Sequence, residues 1–228
     1  MSLKFLPHRC VSAAALTLAV VLAAGAVLAA MLPGCALVGA TTYAIAGPTK
    51  TVTVPAEYTG LEGKSVAVMI AGDEYLLYRY PKAQILLATN IAARIVENID
   101  GVRMVNPQTI TKFQKENPEW MTLPYGELIQ RVQVDRIVLV DLGDYRLHDP
   151  GNRELWRAVI EGNIGVVEAD SRDPDNYAYY KGVRATFPED GGVGVLESDQ
   201  ETVELAVTTL FAQKVAKLFY THDEEVKR

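Results

Sequence analysis

Cysteine is nearly absent from this chain of 228 residues, and both of its cysteines lie near the N-terminus. They are Cys10 and Cys35, so residues 36–228 contain no thiol. A disulfide framework or a cysteine-based metal site in that long segment is therefore excluded. The same segment has two histidines, His148 and His222, which lie far apart in sequence. Neither a zinc site nor a nucleophile triad is expected from them.

Basic residues are also fewer than acidic residues. The chain has 22 Lys and Arg against 28 Asp and Glu, which gives a net charge of −6. No segment gathers basic residues into the patch that phosphate binding requires, so nucleic acid is excluded as a partner. The length fits one domain with additional segments and is sufficient to bury a sizeable core.

Charge is missing altogether from residues 11–32, which are mostly Ala, Val and Leu and follow the basic residues Lys4 and Arg9. A basic start, an apolar run and then a small residue are the layout of a secretory signal. The run also has about the ~20 residues that a helix needs to span a bilayer, so an uncleaved membrane anchor is the alternative. A buried core helix is disfavoured because no charged residue gives the run a polar face.

The tetrad Leu32-Pro33-Gly34-Cys35 resembles the lipobox of bacterial lipoproteins, in which an aliphatic residue and two small residues precede a cysteine. The resemblance implies a signal peptide over residues 1–34, cleavage before Cys35 and a diacylglycerol on the Cys35 sulfur. A thiolate is a strong nucleophile, which suits acylation. Pro33 departs from the pattern, because a small residue such as Ala, Ser or Thr is usual there.

Residues 35–60 are rich in small residues and threonine, and they predict a tether between the lipid and a folded domain. Within the tether, Thr51–Val54 alternates as a strand does, so an additional edge strand is left open. At the other end of the chain, residues 221–228 are polar and predict a frayed tail.

Residues 61–220 predict an α/β domain, a mixed β-sheet with helices packed on it. Apolar runs and helical spacing give a buried strand, a helix, a short strand, two short helices, a long strand, a hairpin and a final helix. Gly162 and Gly165 inside the hairpin predict a bulge or a twist. The predicted elements are Ser65–Ala71, Lys82–Ile99, Val102–Val105, a helix capped by Asn106, Tyr125–Val132, Arg136–Tyr145, Trp156–Glu168, Tyr177–Phe187 and a helix opened by a Ser198–Glu201 capping box.

This order of elements resembles the small α/β domain shared by the N-terminal domain of TolB, the curli secretion channel lipoprotein and the lipoprotein activators of peptidoglycan synthases. The chain is also similar to uncharacterised planctomycete-type lipoproteins at VPAEYTGLEGKSVAV and TLPYGEL. It is too short for TolB's propeller and lacks the paired amphipathic hairpins of a curli-type pore. The resemblance brings no catalytic residues. It is carried by Ser65–Ala71, Gly101–Pro107, Val134–Val140 and the final helix.

Two groups of carboxylates suggest an alternative function as a periplasmic hydrolase or metal-dependent enzyme. Asp141 and Asp144 lie near a strand end, but their odd separation predicts opposite faces of the strand. Asp170, Asp173 and Asp175 surround a proline, where turn residues are common, and they lack the glycine and closing glutamate of a calcium loop. The sequence therefore predicts no metal, no cofactor and no catalytic residue.

Aromatic residues carry the preferred interpretation. Tyr75, Tyr78 and Tyr80 follow the first strand, and Trp120 and Tyr125 lie in a later connection. Such residues anchor protein interfaces, although they also fill cores. We expect a non-enzymatic lipoprotein at the cell membrane or outer membrane, with its domain in the periplasm and bound to an envelope protein. A ligand-binding lipoprotein is a second alternative.

Lipidation of Cys35 is directly testable. Mass spectrometry of the protein purified from bacterial membranes is expected to find a mature N-terminus at Cys35 carrying a diacylglycerol. Cys35→Ser is the control and should yield a chain without the lipid. An intact, unlipidated wild-type chain that starts at Met1 or Ser2 would contradict the lipoprotein interpretation.

Overall fold

A computed structural model describes residues 51–225 of the chain. The signal, Cys35 and the alternative membrane anchor lie outside these residues. The strands are β1 Thr51–Val54, β2 Ser65–Gly72, β3 Arg103–Met104, β4 Arg136–Arg146, β5 Leu155–Trp156, β6 Ala158–Glu168, β7 Tyr179–Phe187, β8 Val193–Gly194 and β9 His222–Glu225. The helices are α1 Glu74–Arg79, α2 Ala83–Asn98, α3 Pro107–Glu116, α4 Tyr125–Val132 and α5 Gln200–Lys217, with a 3-10 helix at Pro118–Thr122.

A five-stranded mixed sheet forms the centre, in the order β3-β2-β4-β6-β7. Strand β2 is parallel to β3 and β4, whereas β6 runs antiparallel to both β4 and β7. Because helices cover both of its faces, β2 is buried at seven of its eight positions, which explains its nearly continuous apolar sequence. The predicted fold class, a mixed α/β sheet with helices packed on it, is confirmed.

The two faces of the sheet carry separate apolar clusters. One cluster joins Val66, Val68 and Ile70 of β2 to α2 and α5. The other joins Ala67, Met69 and Ala71 to α3, the 3-10 helix and α4. Each fully buried aliphatic or aromatic side chain contributes about 1.5–3 kcal/mol, so both layers are needed to hold the sheet.

Three of the described helices, α1, α3 and α5, start at a side-chain cap. Asn106 accepts a hydrogen bond from Gln108 N at 2.9 Å, as the sequence predicts for a cap. Helix α5 is capped by Asp199, which accepts from Thr202 N at 2.7 Å, so the predicted cap at Ser198 is wrong by one residue. Helix α1 was not predicted, although Asp73 provides its cap.

Both ends of the domain extend further than the sequence predicts. Residues 53–224 form one compact unit, which includes residues 53–60 of the expected tether. The amides of Glu57 and Tyr58 both donate to Leu218 O, at 2.9 and 3.1 Å. The expected frayed tail instead contains β9, which pairs with β1. Within residues 51–225, no helix is both long enough and apolar enough to cross a bilayer.

A buried arginine joins the start of β4 to the end of β6 and to the segment before β2. Arg136, the first residue of β4, is 5% exposed. Its Nη1 donates to Asp170 Oδ1 at 2.6 Å and its Nε to Gly60 O at 3.1 Å. Nε also lies 3.5 Å from Glu168 Oε1, at the end of β6. Hydrogen bonds from Arg136 and then from Lys64 lower the pKa of Asp170 to about 2.

This pKa predicts a specific loss of stability in acid. In the unfolded chain an aspartate titrates near ~3.9, so ionised Asp170 stabilises the fold above that pH. Its contribution is lost as the pH falls from about 4 towards 2, where the folded carboxylate takes up its proton. Asp170→Asn is expected to lower the melting temperature at pH 7 and to flatten its fall between about pH 4 and 2.

Asp173→Asn is the matched control, because Asp173 accepts a hydrogen bond only within its own turn, from Asn176 Nδ2 at 2.6 Å. This control should keep the wild-type pH dependence, measured by thermal unfolding across that range. An unchanged acid slope in Asp170→Asn would show that the Arg136 pair does not contribute to it.

Candidate functional site

The topology itself marks one place on the sheet. The chain leaves β2 through α2 on one face to reach β3, and then returns through α3 and α4 on the other face to β4. The connections on the two sides of β2 therefore diverge at the carboxyl end of β2, which lies beside Asp141 and Leu142 in the middle of β4. In open α/β sheets, ligands bind in the crevice at such a switch point.

A cleft of about 150 Å³ lies at this switch point, and we call it the aromatic cleft. The sheet contributes the end of β2 and the middle of β4, and the other walls come from the 3-10 helix, α4 and the loop before β7. Trp120 is 6% exposed, whereas Met121 beside it is 56% exposed. The lining residues are Ala71, Trp120, Met121, Tyr125, Leu128, Leu139, Asp141 and Tyr177.

Three tyrosines run from α4 across to β7. The rings of Tyr125 and Tyr177 are 4.7 Å apart, and their hydroxyls share a hydrogen bond. Tyr177 also stacks on Tyr180 at 5.3 Å, and Tyr180 is 57% exposed. Burial, followed by the hydrogen bond with Tyr125, raises the pKa of Tyr177, so its hydroxyl stays neutral at physiological pH.

Gly165 leaves space for the row of three tyrosines. Tyr177 lies against β6 at Gly165, where an added Cβ would stand 2.3 Å from the Tyr177 ring. The Leu139–Gly165 pairing lies in regular register, so no bulge is located at Gly165. The role of this glycine is to provide space for an aromatic ring.

The observed bulge lies on β4 and changes which residues share a face. The register shifts between Leu142 and Asp144, so Asp141 pairs with Asn163 and Asp144 pairs with Glu161. Residues 161 and 163 are two apart and share a face, so Asp141 and Asp144 do as well. The prediction that they point to opposite faces is wrong, because it assumed an unbroken strand.

The carboxylates on this face differ in their partners. Asp144 forms an ion pair with Arg146, and Glu161 forms one with Arg184 at 3.1 Å. The side chain of Asp141, in contrast, makes no hydrogen bond or ion pair with any residue of the described range 51–225. The aromatic cleft therefore contains a carboxylate without a cation.

The second predicted carboxylate group has structural partners. Asp170 binds Arg136, Asp173 binds Asn176, and Asp175 Oδ1 accepts from Gly126 N at 2.8 Å. The last of these bonds holds the first turn of α4, which presents Tyr125. In the described part of the chain, no group of three or more His, Cys, Asp or Glu residues is arranged to bind a metal ion.

The five predicted partner-binding residues divide into two places. Trp120 and Tyr125 line the aromatic cleft. Tyr75 and Tyr78 lie on α1 and are 69% and 85% exposed. Tyr80 follows α1 and packs 4.5 Å from the Tyr145 ring. Sequence reasoning did not single out Tyr177, because it interpreted this residue as the start of a strand; the available signal was Gly165.

A larger cavity, of about 500 Å³, lies between the start of α2 and α3. It borders the part of the β2 edge that two-residue β3 leaves unpaired, where Gln84 and Gln114 both donate to Ile70 O, at 3.1 and 2.9 Å. None of the predicted site residues line it. Its lining residues are Pro81, Gln84, Ile85, Gln108, Thr111, Lys112, Lys115 and Glu116.

No protein-family model and no curated protein matches the chain. Solved structures similar to it include the PelC dodecamer from Paraburkholderia phytofirmans, 12% identical with a TM-score of 0.43, over 75% of this chain and 97% of that one. Lipoprotein GNA1162 from Neisseria meningitidis is 12% identical with a TM-score of 0.43, over 66% of this chain and 97% of that one. The hypothetical protein CT253 from Chlamydia trachomatis is 9% identical with a TM-score of 0.39, over 67% and 91%.

These structures include a bacterial lipoprotein. The narrower resemblance to the TolB, curli-channel and synthase-activator group stays a prediction.

The fit of Tyr177 over Gly165 can be tested by a double-mutant cycle. Gly165→Ala is expected to destabilise the protein by about 1–3 kcal/mol, because the added methyl group overlaps the Tyr177 ring. In a Tyr177→Ala background the same change should cost less than about 0.5 kcal/mol. Chemical denaturation measures both values.

Gly182→Ala on β7 is the matched control, since its nearest neighbour would be 3.5 Å from the new methyl group. We expect this change to alter stability by no more than about 0.5 kcal/mol. An equal cost of Gly165→Ala with and without Tyr177 would refute the contact.

Proposed function

We propose that this chain is a membrane-anchored envelope lipoprotein whose periplasmic domain binds a protein partner at the aromatic cleft. The anchor rests on the lipobox-like tetrad that ends at Cys35. The binding site rests on one observation above all: aromatic side chains and an unpaired carboxylate, Asp141, meet at the switch point of the sheet.

The size of the cleft favours a protein over a small-molecule ligand. Pockets for small ligands have volumes of about 300–1,000 Å³, and this cleft has about 150 Å³. Such a volume suits one side chain of a partner. Exposed Met121 follows the buried Trp120, and exposed Tyr180 stacks on Tyr177 of the cleft. Met and aromatic residues are enriched at protein interfaces.

The carboxylates argue against the hydrolase alternative. Acid–base catalysis on a glycosidic bond uses two carboxyl groups that are both available to the substrate. Asp144 is occupied by Arg146, and Asp170 by Arg136 and Lys64. Asp141 alone does not provide such a pair, so we propose binding without catalysis.

Helix α1 is a second candidate for the partner surface. Tyr75 and Tyr78 project from it into solvent, and Arg79 donates to the Tyr75 hydroxyl at 3.1 Å. The two surfaces predict different contacts with a partner, so one experiment separates them.

Photo-cross-linking in the cells that produce the chain tests the cleft. We place a benzophenone amino acid at Met121, Tyr180 or Tyr78, and at exposed Thr89 on α2 as the control position. Met121 and Tyr180 are expected to yield adducts with the same protein, because both flank the aromatic cleft. Once purified, that protein should bind Tyr180→Ala about tenfold more weakly than wild type and Tyr78→Ala unchanged.

Adducts at Tyr78 without adducts at the two cleft positions would show that the partner binds α1 and not the cleft. Equal labelling at Thr89 would show that the contacts are unspecific. Either result would overturn the proposal that the cleft binds the partner.

A further inference from the structure

We infer that the aromatic cleft recognises a basic side chain of its partner, arginine in preference to lysine. This inference deepens the proposed function and rests on it. The structural observation is the combination of tyrosine rings with an unpaired carboxylate in a cleft that is too small for a typical small-molecule ligand.

Charge gives the first reason. On this face of the sheet, Asp144 and Glu161 each have an arginine partner, whereas Asp141 has none within residues 51–225. Among the described residues that line the cleft there is no Lys or Arg to compete for Asp141. The net charge of −6 also attracts a basic partner at long range.

The aromatic rings give the second reason. A cation is attracted to the face of a tyrosine or tryptophan ring when it lies within about 6 Å of the ring centre. Trp120, Tyr125 and Tyr177 line the same cleft as Asp141. A guanidinium group can therefore stack on a ring while it donates hydrogen bonds to the carboxylate.

The shape of the cation decides between arginine and lysine. A guanidinium is planar, carries several donors in a fixed fork and is weakly hydrated, so it stacks on aromatic rings more readily than an ammonium group does. Tyr177 is held by its contact with Gly165 and its bond to Tyr125, so the cleft is lined by an aromatic ring of fixed orientation. We therefore expect arginine to bind more tightly than lysine.

The experiment uses the full chain in detergent micelles with ¹³C-labelled methionine methyl groups. The Met121 methyl reports on the cleft, and the Met104 methyl on β3 is the internal control. The probes are N-acetyl-arginine amide, the lysine analogue, the uncharged citrulline analogue and choline. The arginine probe is expected to shift the Met121 signal saturably without moving that of Met104, and citrulline should bind about tenfold more weakly.

The Asp141→Asn variant is expected to weaken the arginine probe about tenfold and to remove its advantage over citrulline. Asp190→Asn removes the same charge from an exposed loop outside the cleft and should bind like wild type. Equal binding of citrulline and arginine, or no binding of any probe, would overturn the inference.

Three further outcomes identify the cation and separate this inference from the proposed function. Choline binding as tight as arginine binding would replace the side chain with a quaternary ammonium head group and overturn the inference as stated. If the Met121 and Tyr180 cross-links form but the arginine probe does not bind, the cleft binds a partner but does not recognise a basic side chain. If the arginine probe binds but no cross-link forms, the proposal of a protein partner is refuted instead.

Discussion

The buried guanidinium of Arg136 is the interaction on which the sheet depends. A charge with 5% exposure is costly to bury unless carboxylates and carbonyls surround it. Glu168, Asp170 and Gly60 O provide these partners, and together they bring the start of β4, the end of β6 and the preceding segment to one point. Farther along β4, Asp141 pairs with Ala71 at the end of β2.

The chemistry of the aromatic cleft depends on one irregularity of the sheet, the bulge in β4. An unbroken β4 would turn Asp144 away from Asp141, as the sequence predicted. The bulge beside Leu142 brings both onto one face, where Asp144 binds Arg146 and Asp141 is left without a cation. Alternation is a property of one strand and can be predicted from sequence, whereas a bulge depends on the partner strand.

The same distinction explains the other successes and failures of sequence reasoning. Local patterns predicted the fold class and gave the bounds of α4 at Tyr125–Val132, because helical spacing lies within one segment. Strand β9 was missed because its residues are polar and its partner β1 lies near the other end of the chain. Tyr177 was missed because its contact with Gly165 crosses a turn and requires the folded hairpin.

Rigidity finally favours the aromatic cleft over α1 as the place where a partner binds. Asp175 holds the start of α4 and Gly165 seats Tyr177, so the cleft is organised before any partner arrives. On α1, by contrast, Tyr75 and Tyr78 are 69% and 85% exposed. A partner that binds the cleft therefore meets tyrosines that are already held in place, whereas a partner that binds α1 would have to order Tyr78, which is 85% exposed. This difference favours the cleft even though α1 is the more exposed surface.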